Sequence, residues 1–301
     1  MRTSFLAVLV IAALLAPADA QRRDTGERRV VVSVLDRAGK VAAGLTPADF
    51  VVREDGVARE ITKVEQSAAP MQIAVLVDTA ADMQITLRDV RLGVQAFSRA
   101  IWATNADSDL ALVEFGQRPN HLVTATRSAE TLKGGIDRLF EHPGSGAYLL
   151  DAVVEATLAL KARSATRPVL VVLSRESTPE FSTRQSGPIE ATVRNAQAQL
   201  WTLVLRDGQP AEAPVDSPLD SNEARQRDIV LGDVAARSGG AREILLTRMA
   251  IQVEFERLAE RLAAQYVVTY ARPESLIPPS KLEVTGRRAG TRVLAPRWTG
   301  Q

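Results

Sequence analysis

The chain has 301 residues, 46% hydrophobic and 24% charged, the balance of a folded protein with length for one large domain and a smaller module. Its 37 Lys and Arg stand against 36 Asp and Glu, a formal net charge of +1, which removes the basic field that nucleic acid or an anionic membrane surface would need. With no cysteine and with His121 and His142 as its histidines, disulfides, thiolate chemistry, zinc–thiolate sites and histidine-rich metal sites are excluded.

Met1 and Arg2 lead into the apolar run Phe5 to Ala16, and Ala18-Asp19-Ala20 supplies the small-x-small end of a secretory leader. Cleavage is expected after Ala20, giving an exported chain in the periplasm or outside the cell. The leader is too short to span a hydrocarbon core of ~30 Å, and no later stretch reaches ~18 uninterrupted apolar residues, so no membrane insertion is expected after cleavage. From Arg29 the chain alternates through Val30 to Leu35, turns at Asp36-Arg37-Ala38-Gly39 and resumes near Val41. Phe50 to Glu54 meets Asp55-Gly56, a hairpin signal, and strand character continues from Ile61 to Val64. Residues 21–70 therefore read as a small β module, with Ser67 to Pro70 as a linker.

Beyond the linker the period changes. Ile73 to Val77 is a continuous apolar run of the kind buried on both faces of a parallel sheet. Leu110 to Phe115, Val169 to Leu173 and Leu200 to Leu205 repeat it. Helical spacing separates them: 83–102 with Leu87, Val90, Val94, Phe97 and Ile101 on one stripe, then 129–140, 149–163 and 188–198. Residues 209–223, with three prolines, read as an exposed loop. A helix over 226–237 should stop at Gly239, and another over 248–265 presents Ile251, Phe255, Leu258 and Leu262 to the core. Glu254, Glu256, Arg257, Glu260 and Arg261 form its charged face, expected to be solvated. Strand patterns close the chain at 266–270, 281–285 and 291–294, with Trp298 expected as an aromatic plug on the terminal β module. The fold class predicted is a doubly wound α/β body with a mostly parallel sheet over 71–265, beside a small all-β module built from the N-terminal segment and residues 266–301.

Three stretches go further: Gly44 to Gly56, carrying Gly44-Leu45, Asp49-Phe50 and Glu54-Asp55-Gly56; the strand ending in Asp78; and Val234 to Gly240 running on to Leu262 through Tyr270. On these the chain resembles the von Willebrand factor type A (VWA) proteins, and more closely the exported bacterial VWA-domain family common in acidobacteria. The resemblance implies a protein-binding module whose family site uses Asp-x-Ser-x-Ser after the first strand, a Thr from a later loop and an Asp after the fourth strand. Those hard oxygen donors hold Mg²⁺ and leave one position for a partner's carboxylate. At the matching positions this chain has Asp78, Ala80 and Asp82, then Ala147, then Arg175 followed by Glu176. Two hydroxyls are lost and a carboxylate is replaced by a cation, so no metal and no cofactor are expected, and Arg175 is expected to reach Asp78 or Asp82 in the ion's stead.

The interaction rim implied is Asp78, Asp82, Ser145, Tyr148, Arg175 and Glu176, offered to an unidentified protein partner and not to nucleic acid. Two alternatives remain beside it. One is a metal-dependent adhesion module using Asp78, Asp82 and Ser145 or Glu176. The other is an exported serine hydrolase with Ser145 or Ser174 near His142, which lacks the Gly-x-Ser-x-Gly elbow. No catalytic residue is assigned, and the oligomeric state stays open.

Overall fold

The structure, a computed structural model, describes residues 26–206, 221–273 and 278–299. The expected leader and nearly all of the 209–223 loop lie outside them. Four strands come first: β1 (Glu27–Leu35), β2 (Phe50–Glu54), β3 (Val57–Arg59) and β4 (Ile61–Gln66). The body then runs β5 (Gln72–Val77), α1 (Leu87–Thr104), β6 (Asp109–Glu114), β7 (Asn120–Thr126), α2 (Ala129–Ile136), α3 (Leu149–Ala162), β8 (Pro168–Arg175), α4 (Ser186–Asn195) and β9 (Gln199–Leu205). It continues with α5 (Asn222–Ile229), a π turn at Val230–Val234, α6 (Ala235–Arg237), β10 (Arg242–Leu245) and α7 (Ala250–Ala263), and the chain ends with β11 (Tyr266–Ala271), β12 (Leu282–Gly286) and β13 (Arg292–Leu294).

Among the described residues the central sheet has six strands in the order β10-β9-β8-β5-β6-β7, parallel except for β7. The continuous apolar runs are explained by burial on both faces. Ile73, Val75 and Val77 pack with α1, α2 and α7, while Ala74 and Leu76 pack with α3, α4 and the π turn. The expected stripe on α1 is wholly buried, and Gly93 brings α7 close, since a Cβ there would lie 2.6 Å from the Phe255 ring. This is the α/β class expected from the sequence.

Several local readings need correction. Strands β7 and β10 carried no clear signal: β7 is a mostly polar edge strand with Val123 as its buried residue, and β10 has four residues. Helix α1 begins at Leu87, because Met83 to Thr86 is taken up by a turn in which Thr86 N–H donates to Met83 O at 2.9 Å. The helix expected from Gln226 starts at Asn222, where the Ser221 hydroxyl accepts from Ala224 N–H at 3.2 Å, and it passes through the π turn before Gly239 ends it at φ +86°. On α7, Arg261 is buried and pairs with Glu243 at 2.6 Å, so that part of the charged face is not solvated. Trp298 packs into the α3/α4 layer of the body, joining the two parts of the chain where a cap on the β module alone was expected.

The terminal strands pair with one another. β1 lies antiparallel between β11 and β13, β4 runs along the other side of β11, and β2 pairs with β12 and β3. The Asp55-Gly56 hairpin joins β2 to β3 with φ of +47° and +84°, and β4 leaves that hairpin for a different sheet. Val30, Val32, Phe50, Val52, Val268 and Val284 fill the space between the sheets. Buried with them, the Glu54 carboxylate accepts from Tyr270 Oη and Arg272 Nε at 2.8 Å each and from Arg59 Nε at 3.0 Å. Burial alone would push its pKa up, but these donors outweigh burial and hold it below the usual range.

Gly240 sits where a Cβ would be 1.9 Å from the Leu200 carbonyl oxygen of β9, whereas a Cβ on Gly134 in α2 meets nothing within 4 Å. Gly240→Ala should therefore lose about 1–3 kcal/mol in urea denaturation through forced backbone movement. Gly134→Ala should gain about 0.5–1 kcal/mol from helix propensity.

Candidate functional site

The chain leaves β5 for β6 and β7 on one side and returns to β8 on the other, so the order in which strands are added reverses between the parallel neighbours β5 and β8. In open α/β sheets the crevice outside the carboxyl ends at such a reversal is where ligands bind. Asp78 follows β5 there, Ser174 and Arg175 end β8, and the 141–148 loop crosses beside them, with His142 N–H donating to Thr79 O at 2.8 Å.

Asp78 is fully buried. One carboxylate oxygen accepts from Ala80 N–H at 3.0 Å, the other from the Ser174 hydroxyl at 3.2 Å and Arg175 N–H at 3.3 Å. The Thr79 hydroxyl accepts from Gly116 N–H at 3.1 Å, a contact close enough that a Cβ on Gly116 would be 2.2 Å from the Thr79 carbonyl carbon. Asp82 turns outward at φ +67°, its N–H on Glu141 Oε1 at 2.7 Å. Arg175 Nη1 donates to Asp82 O at 3.3 Å and lies 3.7 Å from Asp82 Oδ2, so its side chain goes to Asp82 and only its backbone to Asp78.

Ala80 and Ala147 are both fully buried methyl groups. Ala147 is fixed by a short strand-like pairing with Glu180, its N–H on Pro179 O and its carbonyl accepting from Phe181 N–H at 2.8 Å each. The Ser145 hydroxyl donates to the backbone carbonyl of His142 at 2.6 Å, and the His142 imidazole lies 3.6 Å from Glu114, so the structure forms no serine–imidazole pair here. Tyr148 meets Phe181 edge-to-face at 6.2 Å in a groove of about 450 Å³ that also touches Ser145 and Gly146. Glu176 forks onto Arg206 at 2.7 and 2.8 Å, which holds its carboxyl below the usual range. Among the described residues no cluster of three or more His, Asp and Glu is placed to hold a metal ion.

The sequence reading missed the residue beneath this edge. Arg227 of α5, 4% exposed, donates to the Ser174 hydroxyl at 3.0 Å, to Thr178 O at 2.5 Å, to Glu176 O at 3.3 Å and to Arg175 O. Ser174 passes the polarity on, accepting from Arg227 and donating to Asp78. Burial lowers the pKa of Arg227, and the charges of Asp78 and Glu180 oppose that. No sequence signal could have found it, since α5 reads Asn-Glu-Ala-Arg-Gln-Arg-Asp-Ile and its arginines differ only in what they face.

Glu180 is the second buried group here, 4% exposed, with one oxygen on Ser182 N–H at 3.0 Å and the other without a donor among the described residues. Burial pushes its pKa from 4.5 up to about 7, against the Ser182 hydrogen bonds and Arg227.

Two outcomes follow. Arg227→Met leaves Asp78 buried beside neutral donors and should cost about 3–5 kcal/mol, but combined with Asp78→Asn the loss should fall short of the sum by about 1–3 kcal/mol. Additive losses in urea denaturation would show the two charges to be independent. Glu180 has a folded pKa above its unfolded one, so the stability linked to its protonated form is complete below pH 4.5 and disappears as pH rises through 7. Glu180→Gln should remove that dependence, changing the stability difference from wild type by about 2–3 kcal/mol between pH 4.5 and pH 8.5, as two denaturation series would measure.

No protein-family model matches the chain, and no curated protein matches it in sequence. Among solved structures, a von Willebrand factor type A protein from Catenulispora acidiphila is similar over 92% of this chain and 75% of its own, at 9% identity and a TM-score of 0.50. The BatB protein of Bacteroides thetaiotaomicron is similar over 65% of this chain and all of its own, at 11% identity and 0.45. The corresponding domain of the pilus tip protein Mfa5 from Porphyromonas gingivalis covers 64% of this chain and 95% of its own, at 11% and 0.44. With the six-stranded sheet order, the switch-point aspartate and the match to the Catenulispora protein together, this chain has the fold of a von Willebrand factor type A domain.

Proposed function

We propose that this chain is an exported, non-enzymatic interaction module that binds a protein partner at the carboxyl edge of its VWA-fold sheet, at a site that holds no divalent cation. The observation that carries the reading is where apolar surface is left uncovered. Met249, Ile85, Leu246 and Phe140 are the four most exposed large apolar side chains among the described residues, at 61 to 74%, and all lie in or beside the loops of this edge. Phe181, stacked on Tyr148, adds a half-exposed ring. Apolar and aromatic side chains gathered on one face mark surfaces that partners cover.

The donor set speaks against a cation. A hard divalent ion needs oxygens converging on one point, but Ala80 and Ala147 present methyl groups, Asp78 is taken up by three donors, and a guanidinium sits one hydroxyl away from it. The positive charge such an ion would supply is already there in Arg227. Recognition then rests on shape and ordinary polar contacts, with Asp82, Ser145, Tyr148, Arg175 and Glu176 around the apolar rim. Among the described residues no helix is long and apolar enough to cross a membrane. Export rests on the sequence of residues 1–20. In this reading residues 21–70 and 266–301 form one β module supporting a body over 71–265.

A pull-down from envelope extract, with and without EDTA, tests the reading when run beside the variant Phe140→Ser/Phe181→Ser. A partner should be retained in EDTA and lost with the variant, provided the variant keeps its fold by circular dichroism. Loss in EDTA would favour the metal-dependent alternative, and retention by the variant would move the interface elsewhere.

A further inference from the structure

At the other end of the sheet, where β5, β8 and β9 begin, the β module and the body enclose a cleft of about 610 Å³. Three polar side chains that line it are more than nine-tenths buried: Arg167 and Gln199 at 6% exposed and Ser67 at 8%. Arg167 is anchored through Nη1 to Ala69 O at 3.0 Å and through Nη2 to Leu262 O at 2.5 Å and Gln265 Oε1 at 2.8 Å. All three acceptors are neutral. No carboxylate pairs with this guanidinium among the described residues, and its Nε–H has no acceptor there.

The arginine also fixes the direction of everything joined to it. A guanidinium can only donate, so Gln265 must turn its carbonyl oxygen to Arg167 and its amide nitrogen the other way. That nitrogen donates to Ser33 at 2.9 Å and to Gln199 Oε1 at 2.8 Å. Gln199 is therefore left with its own NH₂ unpaired, and the Ser67 hydroxyl likewise has no partner among the described residues. Buried donors without acceptors are costly, and here three of them, one on the guanidinium of Arg167 itself, belong to residues that line one cleft. Burial lowers Arg167 to about 10, which leaves it charged at neutral pH. The lining adds Arg28 and Arg29, together with Arg272, whose charge Glu54 already takes, against the single carboxylate of Glu65, which Lys63 holds at 2.7 Å. Val267 and Trp298 supply an apolar wall.

We propose that this cleft binds a carboxylate carried on an apolar or aromatic group, with Arg167, Gln199 and Ser67 as its donors and Trp298 beside its apolar part. The volume is that of a small-ligand site. Two sources share the chemistry: a free organic acid, and the C-terminal carboxylate of a peptide that ends in an apolar residue. The cleft lies at the opposite sheet end from Asp78, so the proposal stands apart from the rim reading.

Isothermal titration of the mature chain with phenylacetate and with its neutral counterpart phenylacetamide tests the charge requirement. Gly-Gly-Phe, free and C-terminally amidated, tests the peptide source. At least one carboxylate should bind saturably and at least tenfold more tightly than its amide, and the tighter of the two identifies the source. Ser67→Ala, which removes one donor without touching the Arg167 anchors, should weaken binding about three- to tenfold, and Arg167→Gln, where folded, should abolish it. Absence of binding by both acids, equal binding of acid and amide, or full affinity in Ser67→Ala would each overturn the proposal.

Discussion

The carboxyl edge of the sheet is organised around one buried guanidinium. Arg227 reaches from α5 under the end of β8 and satisfies three backbone carbonyls and the Ser174 hydroxyl, which in turn holds Asp78. A charge in that position cannot be removed from water without acceptors, so the backbone after β8 is shaped to supply them. The loop carrying Glu176, Thr178 and Glu180 takes its path from that demand, and the short pairing of Glu180 with Ala147 then fixes the neighbouring loop. In the proposed reading, where a divalent cation would draw oxygens inward from above the sheet, the positive charge comes from below.

If the edge binds a partner as proposed, that difference sets how the two meet. A bound ion with an open coordination position would reward a partner's carboxylate. With the charge internal and its acceptors satisfied, the outer surface of the edge is left to apolar side chains such as Ile85, Phe140 and Met249 and to paired groups such as Glu176 with Arg206. Polarity at this face is mostly spent inside the molecule. At the opposite end of the sheet a second buried guanidinium has a different setting. Arg167 too is buried against neutral acceptors, and through Gln265 it leaves Gln199, a residue lining a cleft, with its NH₂ unpaired among the described residues. The same residue type thus anchors both ends of the fold, and the difference lies in the carboxylates of Asp78 and Glu180 near Arg227, against burial alone at Arg167.

The candidate site was partly legible in the sequence. Asp78, Ala80, Ala147 and Arg175 are found at the sheet's switch point, because an apolar strand ending in a polar residue marks its own carboxyl edge. The sequence could not say that Arg175 would turn to exposed Asp82 while an arginine 52 residues further on did the charge compensation beneath Asp78. Nor did it separate Arg261 from its solvated neighbours on α7, since Glu243, its partner, lies on a four-residue strand with little pattern of its own.

What the sequence determined by itself is the part of the fold set by period: continuous apolar runs for strands covered on both faces, an apolar stripe on α1 and α7, and alternation with turn residues at both ends of the chain. These are local consequences of burial, and each element carries its own record of them. Only the tertiary structure decided which ends pair, with β1 against β11 and β2 against β12 across more than 200 residues, and where the buried charges lie. Arg225 and Arg227, two residues apart on α5, differ only in what surrounds them after folding, the first exposed and the second buried. A charge is stabilised by acceptors brought from distant segments, and spacing along the chain holds no trace of that arrangement.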